Sequence, residues 1–396
     1  MSYNFDEIIN RMQTPSMKWK NRKDNNSIAL GMADMDFKSS IEIFNAIKDV
    51  ANFGIYGYVE PERGYYDSFI DWCNRRYNWE IKEGWLSYSH GVIAGMGSAV
   101  RAFSEPGDYV IFQTPAFSLF TELTVSNGRE PIHNPLIYRE GQYYIDFDDL
   151  EKKAKNPKAK LLLLCNPHNP TCRVFNEEEL LRIADICLRN NVIIVSDEVH
   201  CDMVFEPHTH ISIASLNEEI LQNTITCISP TKTFNIAGLQ ISVNIVANPI
   251  MRKKFQLDLL SRDSKRPNIF ALAGFKAAYE FGEPWLEEVI PYIKDNFNYL
   301  INYIEKNIPE LKVVDAEGTY LAWIDCSALG LTGQPLADFF IEHANVFVSP
   351  GILYGIEGDN FIRLNLACPH SVIVNTLTRM EEAIHNHLET FRKHKL

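Results

Sequence analysis

Two stretches of this chain are continuously apolar, and they restrict its fold more than any other feature. Residues 161–164 read Leu-Leu-Leu-Leu and residues 192–195 read Val-Ile-Ile-Val. Strands without polar alternation have both faces buried, which is typical of parallel strands covered by helices on either side. Apolar residues between the two runs, at 177–190, follow helical spacing. The sequence therefore predicts a strand–helix–strand unit of a parallel sheet.

The same alternation extends along most of the chain. Further strands are predicted at residues 85–88, 109–112 and 224–229, with the two apolar runs extended to 161–165 and 192–196. Helices are predicted over 41–50, 66–77, 92–104, 117–126 and 177–190, with Gly54 ending the first. This order predicts an α/β fold whose large domain is a doubly wound, mostly parallel sheet.

The pattern changes after about residue 285. A long helix is predicted over 285–306, followed by short strands at 311–314, 320–325, 346–348 and 361–366 and a last helix over 372–391. We therefore expect a large domain over 45–285, a smaller α+β domain over 286–396, and an N-terminal segment, 1–44, packing with the smaller domain.

Composition excludes several classes of protein. The 396 residues carry 38 Lys+Arg against 51 Asp+Glu, and a net charge of −13 disfavours nucleic acid as a partner. No apolar run reaches the length of a membrane span, and the N-terminal residues lack the basic and apolar regions of a signal peptide. The eight Cys include no C-x-x-C pair, so we expect reduced, buried thiols in a cytoplasmic protein.

Polar side chains capable of chemistry follow three of the predicted strands. Lys232 follows the strand 224–229, Asp197 ends the strand 192–196, and Asn169 lies in Asn166-Pro167-His168-Asn169-Pro170 after the strand 161–165. Taken alone, each has a structural interpretation: a surface lysine, a capping carboxylate and a rigid turn. Ligands of open α/β sheets bind at the carboxyl ends of the strands, so together they predict one site.

Two other kinds of site are disfavoured. Asp197, Glu198, His200 and Asp202 are metal-ligand types, but neighbouring side chains on an extended segment point in opposite directions. We therefore predict no metal site. Gly95-x-Gly97 is a weak dinucleotide-binding match, because Val100 occupies the third glycine position and the glycines lie within a helix-like run.

The segment His90-Gly91-Val92-Ile93 adds a phosphate site, because it lies between a strand and a helix and a helix N-terminus offers unpaired N–H groups to an anion. An amine, a carboxylate, an amide and a phosphate site at one sheet edge together suit pyridoxal 5′-phosphate. Its aldehyde needs a lysine, its pyridine nitrogen an acid, and its 3-oxygen a hydrogen-bond donor.

The sequence resembles the fold type I pyridoxal-phosphate enzymes of the class I/II aminotransferase superfamily over nearly its whole length. More narrowly, it is similar to the cystathionine β-lyase, or C–S lyase, branch. The motifs that carry the resemblance are Ala33-Asp34-Met35-Asp36-Phe37, Gly57-Tyr58, Asn166-Pro167-His168-Asn169-Pro170, Lys232-Thr233-Phe234-Asn235-Ile236-Ala237-Gly238-Leu239 and Arg363-Leu364-Asn365-Leu366-Ala367-Cys368-Pro369.

The resemblance implies a role for each matching position. Lys232 is expected to form the Schiff base and then take the substrate α-proton. Asp197 is expected to pair with the pyridine nitrogen, Asn169 to donate to the 3-oxygen, and Ser229 to bind the phosphate. Arg363 is expected to hold the substrate α-carboxylate in a two-point contact.

Further cofactor contacts are implied at the remaining positions. Backbone at Val92 and Ile93 is expected to bind phosphate, and Phe117 to stack on the ring. His200 stands where many aminotransferases have a Tyr that touches the 3-oxygen. Tyr58 is expected to reach the phosphate of a neighbouring subunit, which implies a homodimer with shared sites. Ala33 and Asp34 are expected to contact the substrate.

The sequence departs from the family at three positions. Phe117 replaces a common Tyr, which keeps the ring but loses a hydroxyl. Cys172 stands where the family turn has Gly, so it adds strain if that turn needs a positive φ. Gln240 stands where many aminotransferases have a phosphate-binding Arg, which favours the lyase branch.

The resemblance implies β-elimination of L-cystathionine or a related cysteine S-conjugate to a thiol, pyruvate and ammonia. The alternative enzyme is a class I/II aminotransferase, which shares the lysine and differs after the α-proton leaves. A third alternative is a regulatory protein that binds the cofactor. Fused regulators of this superfamily carry an added N-terminal DNA-binding domain, for which we expect no room before Ala33.

Overall fold

A seven-stranded sheet forms the centre of the molecule, seen in a computed structural model that describes residues 3–20, 24, 26–264 and 266–393. Across the sheet, the strands follow the order Leu86–Ser89, Ser242–Ile245, Thr224–Ile228, Ile193–Asp197, Ala159–Cys165, Tyr109–Thr114 and Glu130–Pro135. The strand Ser242–Ile245 is antiparallel to both neighbours, and the other adjacent pairs are parallel. The predicted α/β fold with a large, mostly parallel sheet is confirmed.

The two apolar runs occupy the middle of this sheet. Leu162 pairs with Ile194 on one side and with Ile111 on the other, and all three side chains are fully buried. Helices cover both faces, so the sheet separates two apolar clusters that each take alternate side chains of these strands. Burial on both faces explains why polar residues are missing from these runs.

The sequence pattern did not predict two strands of this sheet. The edge strand Glu130–Pro135 contains two prolines and is half exposed, which is tolerated at an edge because one side needs no ladder hydrogen bonds. The strand Ser242–Ile245 is four residues long and carries a buried polar side chain, Asn244, which interrupts its apolar pattern.

Fourteen α-helices lie within the described residues, and the seven that the sequence predicts have bounds close to the predicted ones. The fourteen are Met17–Lys20, Ile41–Phe53, Asp67–Tyr77, Val92–Phe103, Ser118–Ser126, Phe147–Ala154, Glu177–Arg189, Glu218–Gln222, Pro230–Thr233, Pro249–Ser261, Ile269–Phe281, Glu283–Asn307, Gly333–Phe339 and His370–Lys393. Gly54 ends the helix Ile41–Phe53 in the left-handed conformation, as predicted, with φ of 74°. Within the described ranges, none of these helices is both long and apolar enough to cross a membrane.

The C-terminal part builds a separate antiparallel sheet. Its strands are ordered Lys312–Val313, Leu321–Asp325, Phe361–Asn365 and Ser349–Pro350. Two further pairs are Ile28–Ala29 with Val346–Phe347, parallel, and Ile137–Arg139 with Gln142–Tyr144, antiparallel. The first pair joins the N-terminal segment to the C-terminal part. The domain limits at residues 44 and 285 stay a prediction.

All eight cysteines are free thiols and all are buried. Burial raises the pKa of each thiol above its ordinary value. The thiols therefore stay protonated near neutral pH, as expected of buried cysteines that serve packing.

Gly95 shows why the glycines of the helix Val92–Phe103 are packing residues. A Cβ atom at Gly95 would overlap Oδ1 of Asn244 and lie 3.0 Å from Oγ of Ser89. The helix can therefore lie this close to the sheet only because position 95 has no side chain. This close approach explains the Gly95-x-Gly97 pattern, which does not precede the helix as a dinucleotide fingerprint would.

We expect Gly95→Ala to lower the free energy of unfolding by about 1–3 kcal/mol, because the added methyl group overpacks the contact with Asn244. The shift in the urea midpoint measures this loss. Gly84→Ala is the matched control, since a Cβ there meets no atom within 4 Å. Equal midpoints for both variants would contradict the packing role.

Candidate active site

The carboxyl ends of the central strands open into two adjoining cavities. The inner cavity has a volume of about 270 Å³, and the outer cavity one of about 750 Å³. Ala33, Phe117, Lys232 and Ala237 line both of them. The side chain of Lys232 therefore lies at the junction between the two cavities.

Lys232 is held at this junction by a short helix and by the N-terminal segment. It belongs to the helix Pro230–Thr233, which follows the strand Thr224–Ile228, and its Nζ donates to the carbonyl of Ala33 at 2.6 Å. Burial, helped by the charge of Arg363, lowers the pKa of the lysine to about 8. A useful fraction of the amine is therefore unprotonated and nucleophilic near neutral pH.

Asp197 ends the strand Ile193–Asp197 and lines the inner cavity. Its Oδ1 accepts from the backbone N–H of Val199 at 3.1 Å. Burial raises the pKa of the carboxyl to about 7, although that N–H and the charge of Lys232 oppose the shift. The carboxyl group lacks a cation at hydrogen-bond distance within the described part of the chain, and a protonated ring nitrogen would supply one.

His200 lines the same cavity and is buried. Burial lowers the pKa of the imidazole to about 3, with further lowering from Lys232 and Arg363. The ring packs edge-on against Tyr320 at 5.5 Å between centroids. Its Nδ1 has no hydrogen-bond partner among the described residues. The site thus contains a neutral imidazole with one ring nitrogen that lacks a hydrogen-bond partner among the described residues.

A helix N-terminus closes one end of the inner cavity. Gly91, with φ of 86°, precedes the helix Val92–Phe103, and no side chain caps it. Gly91, Val92 and Ile93 all line the cavity. First-turn N–H groups have no acceptor within their own helix, so this end is suited to an anion such as a phosphate.

Ser229 is turned away from the cavity. Its hydroxyl lies 2.5 Å from the carbonyl of Ile241 and 2.7 Å from Oγ1 of Thr231, and it accepts from the backbone N–H of Thr231. Thr231, which the sequence reasoning missed, lines the inner cavity instead. Its position two residues after the predicted serine was the available signal. The phosphate role of Ser229 stays a prediction.

Arg363 and Asn169 form one polar group across the cavities. Nη1 of Arg363 donates to Oδ1 of Asn169 at 3.0 Å, and Nη2 donates to the carbonyl of Gly31 at 2.7 Å. Its buried Nε–H is unpaired within the described ranges, and the guanidinium lies 5.0 Å from the ring centre of Tyr354. Because Asn169 uses its oxygen for Arg363, its amide N–H groups remain available to a ligand.

The three departures from the family pattern lie at or near the site. Phe117 is half buried on the walls of both cavities, and Gln240 lines the inner one. Cys172 has φ of 62°, so the turn does need the left-handed conformation and its strain is present. The Cys172 thiol is buried and lies 2.7 Å from the carbonyl of Leu321.

Ala33 and Asp34 reach the site from the N-terminal segment. The carbonyl of Ala33 accepts from Lys232 and, at 3.0 Å, from the hydroxyl of Tyr320. The carboxylate of Asp34 pairs with Arg11 at 2.6 Å, and both line the outer cavity. Arg11 and Tyr320 carried no sequence signal, because neither follows a strand of the large sheet.

Tyr58 lies away from both cavities and is 99% exposed. Apolar side chains that are also exposed lie near it in sequence: Phe53, Ile55 and Tyr56. A tyrosine this exposed makes no contribution to the site of its own chain.

Side chains suggested as metal ligands serve other purposes. Glu198 accepts from Ser196 at 2.8 Å and from Ser212 at 3.0 Å, and it contacts His210 at 2.9 Å. Asp202 accepts from Trp72 at 3.0 Å. Across the residues that the structure describes, no group of three His, Cys, Asp or Glu side chains is arranged to hold a metal ion.

Comparison with known proteins agrees with this geometry. Residues 26–379 match the family described as aminotransferase class I and II. The chain is 37% identical to cystathionine β-lyase PatB of Bacillus subtilis over 385 residues, covering 96% of this chain and 100% of PatB. The crystal structure of cystalysin from Treponema denticola, which contains pyridoxal 5′-phosphate, matches with a TM-score of 0.95 at 34% identity, covering 98% and 100% of the two chains.

A pyridoxal-phosphate-bound C–S lyase from Staphylococcus hominis matches with a TM-score of 0.91 at 34% identity, covering 97% of this chain and 98% of that one. The chain therefore belongs to the aminotransferase class I and II family, and within it to the branch of the cystathionine β-lyases and C–S lyases.

Asp197 should make the stability of the cofactor-free protein depend on pH. A pKa of about 7 means that the folded protein keeps a proton that the unfolded chain loses near pH 4. The contribution of this carboxyl group to the free energy of unfolding therefore falls as pH rises from about 4 to about 7. Asp197→Asn removes the titration, so its free energy of unfolding should rise relative to wild type across that window by up to a few kcal/mol.

Urea unfolding of both proteins at a series of pH values measures the difference. Asp185→Asn, on an exposed side chain, is the control and should show no such trend. A constant difference between Asp197→Asn and wild type would contradict the raised pKa.

Proposed function

We propose that this protein is a pyridoxal-phosphate-dependent C–S lyase that removes the sulfur substituent of L-cystathionine or a related cysteine S-conjugate. The observation that carries the proposal is Lys232, a buried amine at the junction of the two cavities. Asp197 lies on the inner side and Arg363 on the outer side, which separates the place for a cofactor from the place for a substrate.

The residues of the inner cavity fit pyridoxal phosphate. Unpaired N–H groups of the helix Val92–Phe103 would hold the phosphate, and Asp197 would hold the ring nitrogen. Nδ1 of His200 and the amide of Asn169 remain unfilled, and both are suited to the polar ring substituents. When bound, the cofactor supplies an aldehyde that condenses with amines and a ring that accepts electrons from the α-carbon.

The side chains then divide the work on the substrate. Arg363 binds the α-carboxylate with its unpaired Nε–H, and the buried guanidinium fixes the orientation of the α-carbon. Nζ of Lys232 takes the α-proton, for which a pKa of about 8 is well matched. The Cβ–S bond breaks with its electron pair on sulfur, which leaves as a thiol after protonation. Hydrolysis of the remaining fragment gives pyruvate and ammonia.

Similarity to PatB, cystalysin and the S. hominis enzyme supports elimination over transamination. Gln240, at the position of the aminotransferase Arg, supports the same choice because it removes a cation from the cofactor cavity. An aminotransferase uses the same lysine, so the two reactions must be separated by experiment.

We also propose that the enzyme works as a cytoplasmic homodimer in which Tyr58 completes the site of the partner. Complete exposure of Tyr58 supports this, because a buried role in its own subunit is excluded. The exposed Phe53, Ile55 and Tyr56 supply apolar surface for a second copy. Free, buried thiols support a reducing compartment.

With L-cystathionine and pyridoxal phosphate but no keto acid, we expect equal amounts of free thiol and pyruvate to accumulate. Lys232→Ala should lose nearly all turnover and the visible absorbance of lysine-bound cofactor, because the amine that bonds the cofactor and moves the proton is gone. Lys253→Ala, on an exposed helix position, should behave as wild type. Turnover that requires a keto acid would instead assign an aminotransferase.

A subunit-mixing experiment tests the position of Tyr58. Co-expression of Lys232→Ala and Tyr58→Ala chains gives mixed dimers. If Tyr58 acts on the partner, one site of each mixed dimer keeps both native residues, so random pairing should restore about a quarter of wild-type activity. If Tyr58 acted within its own chain, every site would carry a substitution and mixing would restore nothing.

A further inference from the structure

The wall of the outer cavity holds an ion pair that the proposed chemistry does not use. Nη2 of Arg11 lies 2.6 Å from Oδ2 of Asp34, and the side chains are 23% and 24% exposed. A second pair behind them, Lys18 with Asp36 at 2.8 Å, is 0% and 8% exposed. All four residues line the cavity that adjoins Lys232, but only Arg11 and Asp34 have side chains with appreciable exposure.

Arg11 and Asp34 each have one polar side-chain atom that makes no hydrogen bond to a described residue. The N–H groups on Nη1 and Nη2 of Arg11 donate to Met35 O, Asp36, Ser16 and Asp34. Its Nε–H, like Oδ1 of Asp34, has no hydrogen bond to any described residue. Because both residues line the outer cavity, the pair can offer a ligand one N–H donor with positive charge and one oxygen acceptor with negative charge.

The negative end of the pair lies nearer the reacting centre. Asp34 follows Ala33, whose carbonyl contacts Nζ of Lys232 at 2.6 Å. The charge of Asp34 acts to raise the pKa of both Lys232 and Tyr320. Arg363 lines the same outer cavity as Arg11 and Asp34, so a substrate held by its α-carboxylate on Arg363 would share that cavity with this wall.

We propose that the Arg11–Asp34 pair selects substrates whose sulfur substituent ends in a second α-amino acid group. The distal ammonium contacts Oδ1 of Asp34, and the distal carboxylate contacts Nε of Arg11. This inference rests on the proposed function and deepens it: the preferred class is a thioether with amino acid groups at both ends, rather than an S-alkylcysteine.

Four substrates with the same carbon chain separate the two contacts. S-propyl-L-cysteine has an uncharged tail, S-(3-aminopropyl)-L-cysteine adds only the ammonium, S-(3-carboxypropyl)-L-cysteine adds only the carboxylate, and L-cystathionine carries both. The measurement is kcat/KM for each, expressed relative to S-propyl-L-cysteine on the same holoenzyme variant. This ratio cancels any effect of a substitution on Lys232 that all four substrates share.

Arg11→Gln should lower the ratio for cystathionine and for the carboxypropyl substrate about tenfold, through KM, and spare the ratio for the aminopropyl substrate. Asp34→Asn should lower the ratios for cystathionine and the aminopropyl substrate by about the same factor and spare the carboxypropyl ratio. Tenfold is the size expected for one charge-assisted hydrogen bond at a partly solvated site.

Arg101→Gln is the matched control, because Arg101 pairs with Asp258 at 2.7 Å at similar exposure, away from both cavities. It should leave every ratio unchanged. Ratios that stay constant in Arg11→Gln and Asp34→Asn, or that change equally for all charged tails, would overturn the inference. Absence of turnover of all four substrates by the wild-type enzyme would instead overturn the proposed function.

Discussion

The site depends on the way in which the irregular segment 31–37 is held. Within the described ranges, the carbonyl groups of this segment are not bonded to backbone N–H groups of a sheet. Side chains from both sheets donate hydrogen bonds to them instead. Asn365 and Arg363, on a strand of the small sheet, donate to the segment at 2.7 Å and 2.8 Å. Lys232 and Asn235, after a strand of the large sheet, donate to the same segment at 2.6–3.0 Å. The segment thus connects the two sheets. The hydrogen bond donated by the Lys232 amine is one of the contacts that make this connection.

Burial shifts the pKa values of two charged groups that lie where the two sheets are connected. Lys232, Asp197 and Arg363 lie within one poorly solvated region, where burial disfavours the charged forms of the lysine and the carboxyl. Their pKa values are brought to about 8 and about 7, so both groups exchange protons near neutral pH.

Sequence reasoning placed Lys232, Asp197 and Asn169 together because parallel strands end at a common edge, and periodicity locates those ends. It could not place Arg11, whose partner Asp34 lies across an irregular segment with no periodic pattern. It also could not give the direction of the Ser229 hydroxyl, which depends on the local path of the chain toward Ile241. Strand ends follow from short-range patterns, whereas the order of the strands in the sheet and the contacts between irregular segments depend on the whole fold.

The complete burial of the cysteines has a consequence for an enzyme that releases thiols. Thiol–disulfide exchange begins with attack by a thiolate, and it needs access to sulfur. Each of the eight cysteines is inaccessible and has a raised pKa, including Cys172 beside the site. Product oxidised to a disulfide therefore finds no thiolate on the protein with which to form a mixed disulfide. The cysteines are thus protected from disulfide exchange with oxidised forms of the released thiol.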